Sequence, residues 1–361
     1  MSSWIAFLVT LSLIILVHEW GHFVIARRIG VKVERFSFGF GPVLLRWRRG
    51  QTDYALSLLP FGGYVKLAGE SEEVPGPVKA WEYRARSIPE RMGIVFAGPL
   101  VNYLLGFLLF FIVFMVGSPV YTSRIGRVIE DYPAQAADLR PGDRIVAVDG
   151  QPVKSWEEMT RAIQIQTRSV TLTVEREGRR FQQTIEPKVT QRKAWFGPTR
   201  PIAQVGIAPS DEVEVQRYPP VAAFFKAAHQ VWFLTRITLQ ALWTIATGGL
   251  SLRETVTGPI GIFYITATVA QQGLISLLQL IAVLSTSIGL FNLLPVPVLD
   301  GGHLAFLAAE WLRGRPLSVR IQEAMTRVGL GFLLLLLAVV TYNDLLRFDI
   351  GGRVLSFFSG R

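Results

Sequence analysis

The sequence predicts a polytopic α-helical membrane protein with about four transmembrane helices, a membrane-associated β-hairpin and one inserted α+β domain. Half of the 361 residues are hydrophobic and only 18% are charged. The apolar residues are gathered in long runs, which is typical of membrane spans rather than of a soluble core. Between positions 121 and 211 the runs shorten to strand length and charges of both signs appear. This change indicates a folded domain outside the bilayer.

The first predicted span covers residues 1–26 and carries an ionisable cluster near its C-terminal end. No charged side chain occurs over residues 4–17, and the apolar run is long enough to cross a bilayer core as a helix. His18, Glu19 and His22 interrupt it. Ionisable groups inside a span are energetically unfavourable and usually mark a function. A signal peptide is a weaker explanation, because no Lys or Arg opens the chain and no small-residue cleavage pattern follows the run.

The cluster has the pattern His-Glu-x-x-His. On a helix, His18 and His22 project from one face and Glu19 lies beside them. Two imidazoles at this spacing can bind one zinc ion, and a carboxylate next to the open position of the metal can act in hydrolysis. The pattern therefore indicates a metalloprotease, with a chance motif in a soluble core helix as the alternative. The chain has no cysteine, so thiolate ligands and disulfides are excluded.

Residues 27–91 are predicted to form a loop on the cytoplasmic side with a β-hairpin. The loop is rich in Lys and Arg, which by the positive-inside rule places the N-terminus on the other side and the zinc site near the cytoplasmic face. Strands are predicted at 33–41 and 54–59, with a turn at 48–53. We expect this apolar hairpin to enter the membrane beside the metal, where an edge strand could hold an extended substrate. A hairpin that only plugs a cavity is an equal alternative.

The second predicted span covers residues 92–117 and contains Asn102. An Asn inside a span most often packs between helices, although it can also orient a ligand, and we expect packing for Asn102. The net charge of +10 does not indicate a nucleic-acid partner, because the basic residues gather beside the hydrophobic runs. That arrangement fits cytoplasmic loops against an anionic lipid bilayer better.

Residues 121–211 resemble a PDZ domain of the bacterial type. The run Leu139–Ile145 matches the signature Leu-x-Pro-Gly-Asp-x-Ile, and an Asp-Gly turn follows it at 149–150. Asp138 stands where the resemblance implies Gly. PDZ domains capture chain ends or extended segments at a sheet edge. A domain that only excludes bulky substrates by size is the equal alternative.

The C-terminal third is predicted to contain two more spans. Amphipathic interfacial helices are expected over 212–260, because charged residues interrupt the apolar run there. A third transmembrane segment is predicted over 261–303, and an amphipathic segment followed by a fourth transmembrane helix and a tail over 304–361. With the inserted domain placed between the second and third spans, it should lie on the same outer side as the N-terminus.

Two histidines leave a catalytic zinc one protein ligand short. Asp300 is the candidate, because it follows a proline-rich apolar segment in which a solvated loop is hard to explain. An Asp-Gly turn is the alternative for Asp300, and His303 is the rival ligand. Water must also reach the site, through a polar cavity that we expect to be lined by Ser285, Thr286, Ser287 and Asn292.

Taken together these features resemble the site-2 proteases, a family of intramembrane zinc metalloproteases, and in particular their bacterial regulator-of-sigma-E type. The resemblance covers nearly the whole chain. Besides the His-Glu-x-x-His helix and the PDZ-like domain, it is carried by four short motifs: Gly-x-Gly-Pro at 39–42, Pro-x-Gly-Gly-Tyr-Val-Lys at 60–66, Ala-Gly-Pro at 97–99, and Asn-x-x-Pro-x-Pro-x-Leu-Asp-Gly at 292–301.

The resemblance implies that His18, His22 and Asp300 bind Zn²⁺, that Glu19 is the catalytic base and that Asn292 helps to hold the substrate backbone. It also implies a multi-pass protein of the bacterial inner membrane whose substrates are single-span membrane proteins, such as anti-sigma factors or signal-peptide remnants. The enteric proteins of this type have two tandem PDZ domains, and this chain has room for one.

Two other classes of function remain open at this point. An ion-coupled transporter would use ionisable groups in the spans as a pathway, and it should show an internal repeat of spans, which we do not find in the sequence. A membrane scaffold would act through the PDZ-like domain alone. Such a scaffold would have no need of stoichiometric zinc.

Overall fold

The computed structural model describes residues 3–70, 77–166, 168–193, 199–249 and 256–348. These residues belong to two units. The first unit contains Met1–Val113, Phe224–Thr238 and Ser251–Arg361, and the second contains Phe114–Ala223 and Leu239–Leu250. The first unit carries the predicted metal ligands, and the second carries the PDZ-like sequence.

The elements follow one another along the chain. Helix α1 (Ser3–Ile29), strands β1 (Val33–Arg49) and β2 (Thr52–Leu67) and helix α2 (Ile88–Val116) come first. The second unit then contributes β3 (Ser118–Tyr121), β4 (Ile125–Val128), α3 (Pro133–Ala136), β5 (Arg144–Val148), β6 (Gln151–Pro152), α4 (Trp156–Gln164), β7 (Val170–Arg176), β8 (Arg179–Ile185), β9 (Lys188–Lys193), β10 (Thr199–Gln204), β11 (Ile207–Pro209) and β12 (Val213–Gln216). Five helices follow: α5 (Pro220–Ala246), α6 (Pro259–Gln271), α7 (Leu274–Asn292), α8 (Asp300–Arg313) and α9 (Val319–Arg347).

Four helices among the described residues are long and apolar enough to cross a membrane, and they are α1, α2, α7 and α9. This confirms the number of spans that the sequence predicts. On α9, the side chains of Leu334 and Leu335 are 56% and 65% exposed. Apolar exposure of this extent is expected on a helix that faces lipid, where no water contacts the side chains.

The segment 261–303 is not the single transmembrane segment that its hydropathy suggests. It forms the C-terminal part of α6, a helix of 13 residues, then α7, and then the first turn of α8. The break between α6 and α7 lies at Gly273, whose φ of 110° is rarely adopted by residues with a Cβ. Within this segment α7 alone has the length and hydropathy of a span.

The region predicted as interfacial helices, 212–260, also divides. Its first residues form β12, which pairs with β3, and α5 follows. The segment 250–255 lies outside the described residues. Helix α5 is not among the four candidate spans of the described chain. Its place at the membrane surface stays a prediction.

Strands β1 and β2 both bend, so that the hairpin becomes a sheet of four segments. Residues 35–38 of β1 pair with 63–66 on one side and with 53–56 on the other. The far half of β1, 45–48, pairs on the outer side of 53–56. The segments 63–66 and 45–48 are therefore the two edges of this sheet.

The sequence predicts shorter strands because the bends look like strand ends. Gly39 has a φ of 90°, and a Cβ there would lie 2.8 Å from the Leu59 carbonyl oxygen. Glycine thus lets the two strands stay paired through the bend instead of ending the pairing. The described turn lies at Gly50 and Gln51, inside the predicted turn at 48–53.

The second unit has a core between a sheet and a helix. Strands β6, β5, β7 and β8 form the sheet in that order, and Met159 and Ile163 of α4 are buried in the core. Asp143 of the Pro-Gly-Asp signature is buried and accepts hydrogen bonds from the Arg176 guanidinium at 2.7 and 2.8 Å. Asp138 adopts a φ of 51°, so it takes the left-handed conformation that glycine would otherwise supply.

Candidate metal centre

Helix α1 and the first residue of α8 bring three potential ligands together. Nε2 of His18 lies 3.1 Å from Oδ2 of Asp300, and Nε2 of His22 lies 3.5 Å from the same oxygen. The two Nε2 atoms are 3.3 Å apart. One ligand atom from each residue lies within 4.8 Å of the others, and His18 is buried.

The position of Asp300 depends on the two glycines that follow it. A Cβ at Gly301 would overlap the carbonyl oxygens of Leu293 and Leu294, and a Cβ at Gly302 would overlap that of Val296. Only glycine allows α8 to start this close to the preceding loop. The Leu-Asp-Gly-Gly sequence therefore fixes the carboxylate at the first turn of α8.

Helix α2 approaches the imidazoles through another glycine. A Cβ at Gly98 would overlap His22 Nε2 and would lie 2.8 Å from His18 Cε1. From the other side, a Cβ at Gly21 of α1 would lie 2.6 Å from the Ala97 carbonyl oxygen. The Ala-Gly-Pro motif at 97–99 thus provides the space in which α2 passes the two rings.

Two residues of α2 contact the outer nitrogens of these rings. Nδ1 of His22 lies 2.9 Å from the Ile94 carbonyl oxygen. Because a carbonyl can only accept, Nδ1 is the donor, and in the neutral ring Nε2 then keeps its lone pair. Nδ1 of His18 faces the amide of Asn102 at 3.4 Å. Asn102, for which the sequence favours packing between helices over orienting a ligand, therefore also contacts the site.

Glu19 lies beside the three residues and next to one edge of the β-sheet. A Cβ at Gly63 would lie 3.2 Å from Glu19 Cγ. Tyr64 and Val65 of the same edge line, together with Glu19, a cavity of about 350 Å³ that also contains His18, His22 and Asp300. The catalytic-base candidate, the ligand candidates and a strand edge that no other described strand pairs with thus share one space.

The outer part of this cavity carries charged groups that sequence reasoning missed. Arg91 at the start of α2 forms a two-pronged ion pair with Glu310 of α8, at 2.6 and 3.2 Å. Glu70 accepts a hydrogen bond from the Leu67 N–H at 3.2 Å, and burial raises the pKa of its carboxyl. Burial also raises the pKa of Tyr83. No motif marks these residues, because they meet only through the fold.

The polar cavity expected from α7 is not found there. Ser285 and Thr286 are fully buried, and their hydroxyls donate to the carbonyl oxygens of Asn102 and Ala282 at 2.8 Å each. Neither they nor Ser287 line the cavity at the candidate ligands, so this prediction is wrong. The hydroxyls bond to helix backbone, which is the usual way to satisfy them inside a span.

The two remaining candidates of the Asn292–His303 segment lie farther from the ligand group. Asn292 is the last residue of α7, is partly exposed and does not line the cavity. His303 does line it, one turn of α8 beyond Asp300. Its ring is not part of the group whose ligand atoms lie within 4.8 Å of one another. Asp300 is therefore the better candidate ligand.

The three residues fit a metal ion. Oδ2 of Asp300 is buried and has no hydrogen-bond partner of acceptable geometry among the described residues, although it faces two imidazole nitrogens. A converging set of lone pairs without donors is stabilised by a cation. Two imidazole nitrogens and one carboxylate oxygen are the protein ligands of many catalytic zinc sites.

Comparison with known proteins agrees with this site. The model of peptidase family M50 matches residues 6–336. The chain belongs to peptidase family M50, the site-2 proteases. It is 30% identical over 450 residues to Protease RseP of Yersinia pestis, covering 95% of this chain and 98% of that one. Identity to the regulator of sigma-E protease RseP of Escherichia coli (strain K12) is 29% over 448 residues, with the same coverage.

A relative closer to this length comes from Rhizobium meliloti (strain 1021). It carries the provisional name zinc metalloprotease R01501 and is 35% identical over 356 residues, which cover 94% of this chain and 95% of that one. Membership in peptidase family M50 makes this chain a zinc metalloprotease of the site-2 type, and four helices among its described residues are long and apolar enough to cross a membrane.

The inserted unit also has a structural neighbour. The PDZ domain of the SdrC-like protein Lin2157 from Listeria innocua is 24% identical over 25% of this chain and 96% of that one, with a TM-score of 0.21. A score this low carries no argument. The PDZ interpretation rests on the Pro-Gly-Asp signature and the strand order described above.

Proposed function

We propose that this membrane metalloprotease cleaves peptide bonds within or near the transmembrane segments of single-span proteins. One observation carries the proposal: His18 and His22, inside the candidate span α1, converge with Asp300 at the start of α8. A hydrolytic site at that depth can act only on chains that enter the bilayer, and water-soluble loops would not reach it.

We propose His18, His22 and Asp300 as the three protein ligands of one zinc ion. When bound, zinc would supply a Lewis acid that activates water and polarises the scissile carbonyl. The buried Asp300 oxygen, which has no hydrogen-bond donor of acceptable geometry in the described part of the chain, supports this ligand set. So does the Ile94 carbonyl, which holds the His22 proton on the outer nitrogen.

Glu19 is proposed as the catalytic base. It follows His18 directly and shares the cavity with all three proposed ligands. In that place its carboxylate can take a proton from the attacking water and pass it to the leaving amine nitrogen. A carboxylate is suited to both steps because it can accept and then return the same proton.

The edge formed by residues 63–66 is proposed to hold the substrate. A transmembrane helix must become extended before a peptide bond is accessible, and an added strand supplies main-chain partners for it. This edge has no partner strand on its outer side among the described residues and lies beside Glu19. Large exposed apolar side chains elsewhere in the hairpin, such as Leu45, Trp47 and Leu58, support its insertion into the membrane. Asn292 is proposed to assist from the end of α7.

The substrates and the orientation are proposed from the chain and its relatives together. Several relatives are named as regulators of sigma-E protease, which makes anti-sigma factors the first substrates to test, followed by signal-peptide remnants. The Lys and Arg residues between α1 and α2 support a cytoplasmic position for that region in the inner membrane, with the N-terminus and the inserted unit outside.

The test is co-expression of the chain with tagged single-span substrates, comparing wild type with Glu19→Gln. We expect Glu19→Gln to bind zinc as wild type does but to cleave about 10²–10⁴-fold more slowly, because the proton acceptor is lost. Glu157→Gln, the same change at an exposed position of α4, is the matched control. Cleavage at the wild-type rate by Glu19→Gln would overturn the role of Glu19.

The same experiment separates the other classes of function. A transporter or a scaffold would leave every substrate intact in wild type and variants alike. Loss of cleavage in Glu19→Gln alone, with zinc retained, is expected only of a protease.

A further inference from the structure

The side-chain amide of Asn102 contacts His18, one of the proposed metal ligands. Asn102 is fully buried in α2, and its Nδ2 lies 3.4 Å from Nδ1 of His18. Its other amide atom, Oδ1, is buried without a hydrogen-bond partner among the described residues. An unpaired buried carbonyl next to an imidazole nitrogen calls for an explanation.

The present orientation conflicts with the use of His18 as a ligand. An amide nitrogen donates, so it would require a lone pair on Nδ1 and would leave the ring proton on Nε2. Nε2, however, faces Asp300 Oδ2 at 3.1 Å and His22 Nε2 at 3.3 Å, where a ligand atom needs its lone pair. A neutral imidazole carries one proton, so Nδ1 and Nε2 of His18 cannot both present a lone pair.

A half-turn of the amide removes the conflict. The nitrogen and oxygen of an Asn side chain have nearly the same shape, and rotation by 180° about the Cβ–Cγ bond exchanges them. The oxygen then accepts the proton of His18 Nδ1, and Nε2 presents its lone pair to Asp300 and His22. His22 already has this arrangement, with its Nδ1 donating to the Ile94 carbonyl.

We infer that Asn102 is a positioning residue that accepts a hydrogen bond from Nδ1 of His18 and so fixes the ring with Nε2 toward the metal. The inference rests on the proposed zinc site. It explains why a polar side chain stands fully buried at this point of a membrane helix. The packing supports a fixed position for it: Ser285 of α7 donates to the Asn102 backbone carbonyl at 2.8 Å, and a Cβ at Gly289 would lie 3.3 Å from Asn102 Cβ.

The experiment measures the zinc affinity of the purified full-length protein by chelator competition. Asn102→Leu keeps the volume but removes the acceptor, and we expect zinc to bind about 10–100-fold more weakly, the loss typical of a removed hydrogen-bond partner of a ligand. Asn102→Asp restores an acceptor oxygen in either orientation, and we expect affinity within a few-fold of wild type. Thr10→Val is the control and should bind as wild type does, because it removes a buried hydroxyl of α1 that has no hydrogen-bond partner within the described ranges.

If Asn102 only packed between helices, the Asp variant would bind zinc more weakly than the Leu variant, because a buried carboxylate disturbs packing more than Leu does. Wild-type zinc affinity in Asn102→Leu, or equal losses in the Leu and Asp variants, would overturn the inference. Asn102→Ala replaces the Leu variant if the latter does not fold. Absence of stoichiometric zinc from wild type would contradict the metal site itself, which is a different result from a zinc-binding wild type with an unaffected Leu variant.

Discussion

Small residues decide whether the candidate ligands can meet at all. The backbone of α2 passes the two imidazoles at Gly98, where no side chain fits. The sequence could group His18 with His22 from their helical spacing, and it could single out Asp300 from its apolar, proline-rich surroundings. It could not reveal the contact of Asn102 with His18, because a buried Asn in a span has the same pattern whether it packs against a helix or a ring.

We predict that Gly98→Ala disables the site. The added methyl would overlap His22 Nε2, so either the ring or α2 must shift. We expect zinc affinity to fall by about 5–150-fold, since overpacking of this kind typically costs about 1–3 kcal/mol. Equilibrium dialysis with zinc measures the change.

The control for this prediction lies on the same helix. At Gly93 an added Cβ would meet nothing within 4 Å, so Gly93→Ala should bind zinc as wild type does. Equal zinc affinities for the two variants would show that the close approach at Gly98 is not what positions the rings.

At the scale of elements, a buried carboxylate joins α9 to α6. Asp344 is fully buried in α9, and its two oxygens accept hydrogen bonds from the N–H groups of Gly258 and Gly261 at 3.2 and 2.8 Å. These groups belong to the N-terminus of α6, where the helix dipole favours a negative charge. Phe263 of the same helix contacts Trp4 of α1, with ring centroids 4.3 Å apart. Asp344 therefore helps to hold α6 between two of the spans.

We predict a graded loss of stability at this position. The amide oxygen introduced by Asp344→Asn could still accept from one N–H, whereas Asp344→Leu leaves both donors buried and unpaired, at about 1–3 kcal/mol for each group. Thermal unfolding of the full-length protein in detergent should give the order wild type, Asn variant, Leu variant. Unchanged melting of the Leu variant would contradict the capping role.

Sequence patterns predict some elements of this fold better than others. The four spans follow from hydropathy, because length and composition are enough to define a helix that must satisfy its backbone in lipid. The division of 261–303 does not, since Gly273 is one residue in a long apolar run. The sequence also predicts hairpin strands that are too short. A glycine more often ends a strand, whereas Gly39 only bends this one.

For the whole molecule, the absence of cysteine permits a direct test of orientation. Gln51 at the hairpin turn and Gln151 in the inserted unit are both exposed. We expect a membrane-impermeant thiol reagent to label Gln151→Cys in spheroplasts, in which the outer membrane is removed and the inner membrane is intact. Gln51→Cys should be labelled only after the inner membrane is broken, because the basic residues between α1 and α2 favour the cytoplasmic side that we propose for this loop. Labelling in the reverse order would contradict the proposed topology.

The family of the chain could be foreseen from the joint presence of its motifs, and the match over residues 6–336 establishes it. The cavity around the site could not be foreseen. Its outer wall is built from residues such as Glu70, Arg91 and Glu310, which are far apart in sequence and carry no pattern of their own. Only the fold brings such side chains together, as in the ion pair of Arg91 in α2 with Glu310 in α8.

Anomalous diffraction at the zinc edge, from crystals of the zinc-loaded protein, tests the position of the metal most directly. We predict one peak per chain, bounded by the imidazoles of His18 and His22 and by the carboxylate of Asp300. A zinc peak elsewhere, or no peak between these three side chains in a protein that cleaves its substrate, would contradict it.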